Sequence, residues 1–252
     1  MFDIPTGTKQ GGILSPDFFA LYIDDLISLL IKSGYGCYII ELCIACIFFA
    51  DDIVLLSPSR VGLQHMLDIC FSYCSKYCLD FNVAKSRVKI IGDQLANGDF
   101  FPLIIDNRSL DFVDSFKYLG VNLLAGRELI FSARLELLSF YRASNAIIHG
   151  RTRPKPEILM KLLYTNCVSI FSYASEIKEF STSEMHECHV AVNNAIRAIY
   201  SYATFESIRH LRLSHGLKSI YELFFAAKTK FQNAIVSSTN DVVNYIANCD
   251  LN

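Results

Sequence analysis

Phe49-Ala50-Asp51-Asp52 sets two adjacent acids between two strongly apolar runs, residues 37–49, rich in Ile, Cys and Phe, and Ile53-Val54-Leu55-Leu56. The pattern reads as strand, tight turn carrying two carboxylates, strand. Two neighbouring anions repel, and apolar flanks raise the cost of desolvating them. A hard divalent cation such as Mg²⁺ removes both penalties, because it takes carboxylate oxygens as ligands. A solvated hairpin tip is the plain alternative, since Asp suits turns. The dipeptide alone does not choose between a metal site and a wet turn.

Bulk properties narrow the classes. A chain of 252 residues can hold one large or two modest domains. Apolar residues make up 52% of it, a share high enough to raise membrane insertion as an explanation. Residues 37–50 form the longest apolar stretch, but it contains Glu41 and ends on two acids, so it is too short to span. Near Met1, Asp3, Pro5 and Lys9 interrupt any signal-peptide core. The excess is therefore read as buried core, or as core surface lacking its partner, with no membrane role.

Nine cysteines without an export signal point to an intracellular, reducing compartment. Cys70, Cys74 and Cys78 recur every four residues and are expected as small buried groups on one helix face. Cys43 and Cys46 fall in a strand-like run and are expected to face opposite sides. His186, Cys188 and His189 lie close on a predicted helix, but no fourth zinc ligand accompanies them. Net charge is −2, which advertises no nucleic-acid partner, yet its distribution is uneven. Residues 1–100 carry seven bases and eleven acids, whereas Arg142, Arg151, Arg153, Lys155 and Lys161 stand against Glu157 alone over residues 142–161. That basic stretch suits a phosphate backbone or a solvated helix end equally well.

Along the chain, Gly7 to Leu14 reads as a glycine-rich loop. Ser15-Pro16-Asp17 then starts a helix, with Ser as its cap and Pro at the first position, running to about Lys32 and ended by Ser33-Gly34. Ser59 caps a second helix over about 60–79. Short strands are predicted at 88–91, 103–105, 111–113 and 116–123, with a turn at Asp106-Asn107-Arg108. Helices follow at about 128–148, 155–174, 183–200, 205–213 and 217–236. The architecture is α+β to about 125 and all-helical afterwards.

Four segments in order resemble a known family. Gly7-Thr8-Lys9-Gln10-Gly11-Gly12-Ile13-Leu14-Ser15-Pro16, the Phe49-Ala50-Asp51-Asp52 hairpin, Phe81-Asn82-Val83-Ala84-Lys85-Ser86 and Phe116-Lys117-Tyr118-Leu119-Gly120 follow reverse-transcriptase motifs B, C, D and E. The wording is most similar to non-LTR, LINE-type retrotransposon enzymes. The resemblance implies a partial palm, an antiparallel sheet with helices, over 1–125, and a helical thumb and connecting region over 126–252. It implies RNA-directed DNA synthesis with Mg²⁺ in a two-metal site, on an RNA template and a DNA primer, from deoxynucleoside triphosphates. Asp51 would be a principal metal ligand and Asp52 a supporting one. Lys85 would contact phosphate or protonate the leaving group, although a solvated loop lysine reads equally well. Lys9, Gln10, Gly11, Gly12 and Phe49 would meet template, nucleotide or primer end. Phe116, Lys117, Tyr118, Leu119 and Gly120 would form the primer grip. Such an enzyme works as a ribonucleoprotein in nucleus or cytoplasm.

Tyr22-Ile23-Asp24-Asp25 imitates the catalytic box, but it falls on the first helix. Consecutive helical positions point about 100° apart, so these acids are assigned to a solvated or hydrogen-bonding face. Relatives carry a third carboxylate, in motif A, on a strand before the glycine loop. Here Asp3 is the sole acid ahead of that loop, and motif A and the fingers are expected to be missing. The expectation is an inactive fragment, with three rivals: a nucleic-acid-binding module, an enzymatic half completed by a separate N-terminal chain, or a relic of a decayed element.

Overall fold

Pro16 and the apolar periodicity behind it form α1 (Ser15–Lys32), and Gly34 turns left-handed (φ +74°) just past its end. Ser15 is itself helical and Leu14 holds the capping position, one residue earlier than expected. In the computed structural model the described residues are 12–92, 101–126, 129–131, 133–151 and 154–249. They fall into two compact units, 12–88 with 101–112, and 89–92 with 113–249. The break in compactness thus comes after Phe112, while the motif-based division comes after 125.

In the first unit, residues 37–49 do not form one strand. They divide into β1 (Cys37–Ile39), β2 (Leu42–Ile44) and β3 (Cys46–Phe49). Ile40 at φ +55° breaks the pleat and folds β1 back on β2, opposing Tyr38 to Cys43. The break between β2 and β3 also cancels the expected alternation, so Cys43 and Cys46 both pack against the same core. β3 pairs antiparallel with β4 (Asp52–Leu55).

The Ser59 hydroxyl accepts from the Gly62 N–H at 3.1 Å and caps α2 (Arg60–Lys76). Cys70 and Cys74 are buried on this helix, and burial pushes the Cys70 thiol up to about 12. Cys78 lies beyond the helix at φ +54°, exposed, and so leaves the expected stack. Met66, Cys70 and Tyr73 meet Ile23, Leu26 and Leu30 of α1 in one cluster. Leu63 and Leu67 turn to a second cluster of Val88, Leu103, Ile105 and Leu110. α2 is thus the helix both clusters share. β5 (Arg87–Val88) pairs in parallel with β8 (Asp111–Phe112), and β6 (Ile104–Ile105) turns through Asp106-Asn107 into β7 (Arg108–Ser109).

The second unit opens with β9 (Ser115–Tyr118), β10 (Val121–Ala125) and β11 (Leu129–Phe131), ordered β11-β10-β9. The strand expected over 116–123 is therefore a hairpin, folded at Leu119-Gly120, and the helix expected from 128 begins after β11. The helices are α3 (Ala133–Ile148), α4 (Pro156–Leu162), a π-helical turn (Leu163–Val168), α5 (Ser169–Ser172), α6 (Thr182–Tyr200), α7 (Arg209–Ser214), α8 (Ile220–Val236) and α9 (Asp241–Cys249). The last was not anticipated. Leu159, Leu163, Cys167 and Phe171 are buried at steps of four, each of which overshoots an α-helical turn by about 40°. The π turn takes in one more residue and pulls that stripe back toward the core. Cys188 sits in this core with its thiol pushed up to about 12 by burial, so it packs as an apolar group rather than as a zinc ligand.

Two polar contacts tie the helices. Lys178 Nζ meets Glu136 Oε1 at 2.7 Å inside the unit, where burial raises the glutamate's pKa more than the lysine lowers it. Glu184 closes a capping box with Ser181 at the start of α6, and its Oε1 also accepts from the Ala133 N–H at the start of α3, at 3.4 Å.

The chain is a mixed helix-and-sheet protein. Among the described residues its strands form one three-stranded and four two-stranded ladders, one of them parallel, rather than one antiparallel sheet. Strands of two to five residues, separated by left-handed residues at Ile40, Ala50, Asp106, Asn107 and Leu119, cannot extend further. No helix among the described residues is long and apolar enough to cross a membrane.

Burial pushes the Glu184 carboxyl up, but the hydrogen bonds from Ser181 and Ala133 outweigh it and hold it below the ordinary 4.5. A carboxyl held low contributes stability that is complete above its unfolded value and is lost as pH falls through the folded one. Glu136, held high, works in the opposite sense, costing stability as pH rises through its raised value. Acidification below about pH 4.5 should therefore lower the melting temperature through Glu184. Glu184→Gln keeps one of the two acceptor oxygens and removes the titration, so it should lower the melting temperature near neutral pH and flatten that fall in circular-dichroism melts.

Candidate functional site

The acid pair is placed by a two-residue turn. In the β3–β4 register Cys46 opposes Leu55, Phe48 opposes Ile53 and Phe49 opposes Asp52. Cys46, Phe48, Ile53 and Leu55 pack against the α1–α2 cluster. Period-two alternation then sends Ile47, Phe49 and Asp52 to the other face. Phe49 is 61% exposed there, and both aspartates are exposed at the tip. Ala50 makes the turn at φ +52°, a conformation in which its Cβ is strained.

Gly12 lies just before α1, and its carbonyl accepts from the Ser15 N–H at 3.2 Å. Lys9, Gln10 and Gly11 fall outside the described residues. Lys85 is exposed on the turn after α2, where its N–H donates to the Asn82 side chain at 3.2 Å. The imitation box lies on α1 as expected. Asp24 and Asp25 are exposed, while Tyr22 donates to the Tyr77 carbonyl and its own carbonyl accepts from Tyr73, each at 2.6 Å. That tyrosine is a tie between α1 and α2.

The donor chemistry at the tip suits a hard divalent ion, but the number of donors does not. Among the described residues no three His, Cys, Asp or Glu side chains gather into a metal-binding group. Asp51 and Asp52 by themselves are two exposed carboxylates, fewer donors than such an ion takes.

In the second unit, Phe116 and Tyr118 are half-buried on β9, Lys117 is exposed, and Leu119 (φ +44°) with Gly120 (φ +82°) makes the turn. The Tyr173 hydroxyl donates to the Leu119 carbonyl at 2.6 Å. Sequence reasoning did not single out Tyr173, because its only signal was an aromatic at the end of a helical pattern. Arg142 on α3, Arg151 beyond it, Lys155 before α4 and Lys161 on α4 are all exposed. Arg153 lies outside the described residues.

Parts of the sequence match known proteins. Residues 2–123 match the model of the family described as reverse transcriptase (RNA-dependent DNA polymerase). The chain is 34% identical over 126 residues to the retrovirus-related Pol polyprotein from type-2 retrotransposable element R2DM of Drosophila melanogaster, across 47% of this chain and 12% of that protein. It is 24% identical over 225 residues to the retrovirus-related Pol polyprotein from type-1 retrotransposable element R2 of Popillia japonica, across 84% of this chain and 36% of that protein. The chain thus spans well under half the length of either relative.

Ala50→Gly should relieve the left-handed strain at the tip and stabilise the first unit by about 0.5–1 kcal/mol. Urea denaturation followed by circular dichroism measures it, and a loss of stability would mean that the Ala50 conformation is not strained.

Proposed function

We propose that the chain is a palm-and-thumb segment of an RNA-directed DNA polymerase of the non-LTR reverse transcriptase family, a reading supported by the family match over residues 2–123 and by the two R2 element relatives. The observation that carries the reading is the hairpin register, which anchors one face of β3–β4 in the core and leaves Asp51 and Asp52 together at an exposed tip. In this reading the two carboxylates supply part of a divalent-ion site. Bound ions would neutralise charge on the attacking 3′ oxygen and the leaving pyrophosphate.

The chain's own residues bind and orient. Phe49 sits cross-strand from Asp52 and packs near the primer end. The loop of Lys9, Gln10, Gly11 and Gly12 lets backbone approach the nascent base pair. Lys85 offers its ammonium to phosphate. Phe116, Lys117, Tyr118, Leu119 and Gly120 steady the primer strand. A third carboxylate from the rest of the polymerase completes the metal site, so extension by this chain alone is expected to be negligible. RNA template, DNA primer and deoxynucleoside triphosphates are the partners.

A second reading, a non-catalytic nucleic-acid-binding module, is favoured by the exposed bases Arg142, Arg151, Lys155 and Lys161 around the start of α4. Extension of a DNA primer on an RNA template separates the two. A longer polymerase of this family carrying the chain should extend, and Asp51→Asn should lower the rate at least about 10²- to 10³-fold while leaving duplex affinity within about twofold. Undiminished extension by Asp51→Asn would remove the aspartate from the reaction. In salt titrations of duplex binding by the chain itself, Arg142→Ala and Lys161→Ala should each reduce the slope of log K against log [salt] by about 0.9 or less. Unchanged slopes would remove those side chains from the phosphate backbone.

A further inference from the structure

Leu119 is a non-glycine residue at φ +44°, a backbone state that costs about 1–3 kcal/mol and persists only where its surroundings enforce it. The enforcing contact comes from 54 residues away, where Tyr173 donates its hydroxyl proton to the Leu119 carbonyl at 2.6 Å. The hydroxyl end of the same ring lies beside the next residue. A Cβ added to Gly120 would meet Tyr173 Cε1 at 3.0 Å, Oη at 3.2 Å and Cζ at 3.3 Å. Glycine is thus needed here twice, for its φ of +82° and for the ring that occupies the space.

Tyr173 is presented by a deliberate break. α5 ends at Ser172, Tyr173 turns extended (φ −65°, ψ 126°), and Ala174 adopts φ +53°. The residues before the break, Leu163, Cys167 and Phe171, are buried, whereas Tyr173 is 55% exposed. Its place is therefore not explained by core packing. A strained helix exit presents a tyrosine whose hydroxyl closes on a strained turn.

We propose that Tyr173 is a positioning residue that clamps the Leu119–Gly120 turn, so that this turn meets a primer strand in one fixed shape set by the helices behind it. The inference rests on the reading of residues 116–120 as the primer-contacting turn and adds the residue that holds it. The clamp acts through the turn and touches neither nucleotide nor metal.

The test uses the full chain and a fluorescent RNA–DNA hybrid, with amide hydrogen exchange read over residues 118–122. Tyr173→Phe keeps the ring and loses the donor. It should speed exchange of the Val121 amide, which the hairpin pairs with Tyr118, about five- to tenfold and weaken hybrid binding about threefold, with an unchanged circular-dichroism spectrum. Lys117→Ala, on the same hairpin, should weaken binding without changing exchange. Exchange in Tyr173→Phe equal to that of the unaltered chain overturns the clamp. Faster exchange with unaltered affinity, while Lys117→Ala still weakens binding, overturns the positioning role alone. Unaltered affinity in both variants overturns the primer-contact reading beneath it and the positioning role with it.

Discussion

One-sided burial of the β3–β4 hairpin is the constraint from which the rest of the candidate site follows. Cys46, Phe48, Ile53 and Leu55 must face α1 and α2, because that is where the first unit keeps its apolar contacts. The side-chain period of a strand is two, so a one-residue slip would exchange the whole inner and outer sets. It would drive Phe49 and Asp52 toward Met66 and Cys70 and bring Phe48 out. The aspartates are held at the tip by the hydrophobic effect acting on their neighbours on the inner face of the hairpin. This arrangement leaves both carboxylates exposed to solvent.

Of the eight non-glycine residues at positive φ among the described residues, three lie at or beside turns given a functional reading. Ala50 at φ +52° makes the turn that carries the acids, Leu119 at +44° makes the turn read as the primer grip, and Ala174 at +53° follows the tyrosine that holds it. A non-glycine residue in this region gives up stability locally, and the surrounding packing must supply the difference. At the hairpin the supply comes from the inner face of β3 and β4. At Leu119 it comes from a single hydrogen bond and a ring seated on a glycine.

Charge is divided along the chain in a way the net value of −2 conceals. The exposed acid pair belongs to the first unit. Exposed Arg142, Arg151, Lys155 and Lys161 belong to the second and suit an anionic backbone. Inside the second unit the one buried ion pair described, Lys178 with Glu136, is a packing element. Removing either partner would strand a charge in the core, whereas the surface bases can change at little structural cost.

The order of the motifs, the existence of α1 and α2, the hairpin and its acids, and the change from mixed to helical character were all legible in the amino-acid sequence, because each depends on local periodicity and on turn residues. Where the reading failed, a distant contact or a single left-handed residue had intervened. Ile40 divided an apolar run that pattern alone reads as continuous, Leu119-Gly120 folded a predicted strand in two, and Cys78 fell beyond the helix that was to bury it. The pairing of Tyr173 with Leu119 and of Glu184 with Ala133 spans 54 and 51 residues, distances over which no sequence period carries information. Sequence determined which segments are apolar on one face and where the carboxylates stand. Tertiary structure alone decided which side chains enforce the strained turns, because that depends on what the folded chain brings beside them.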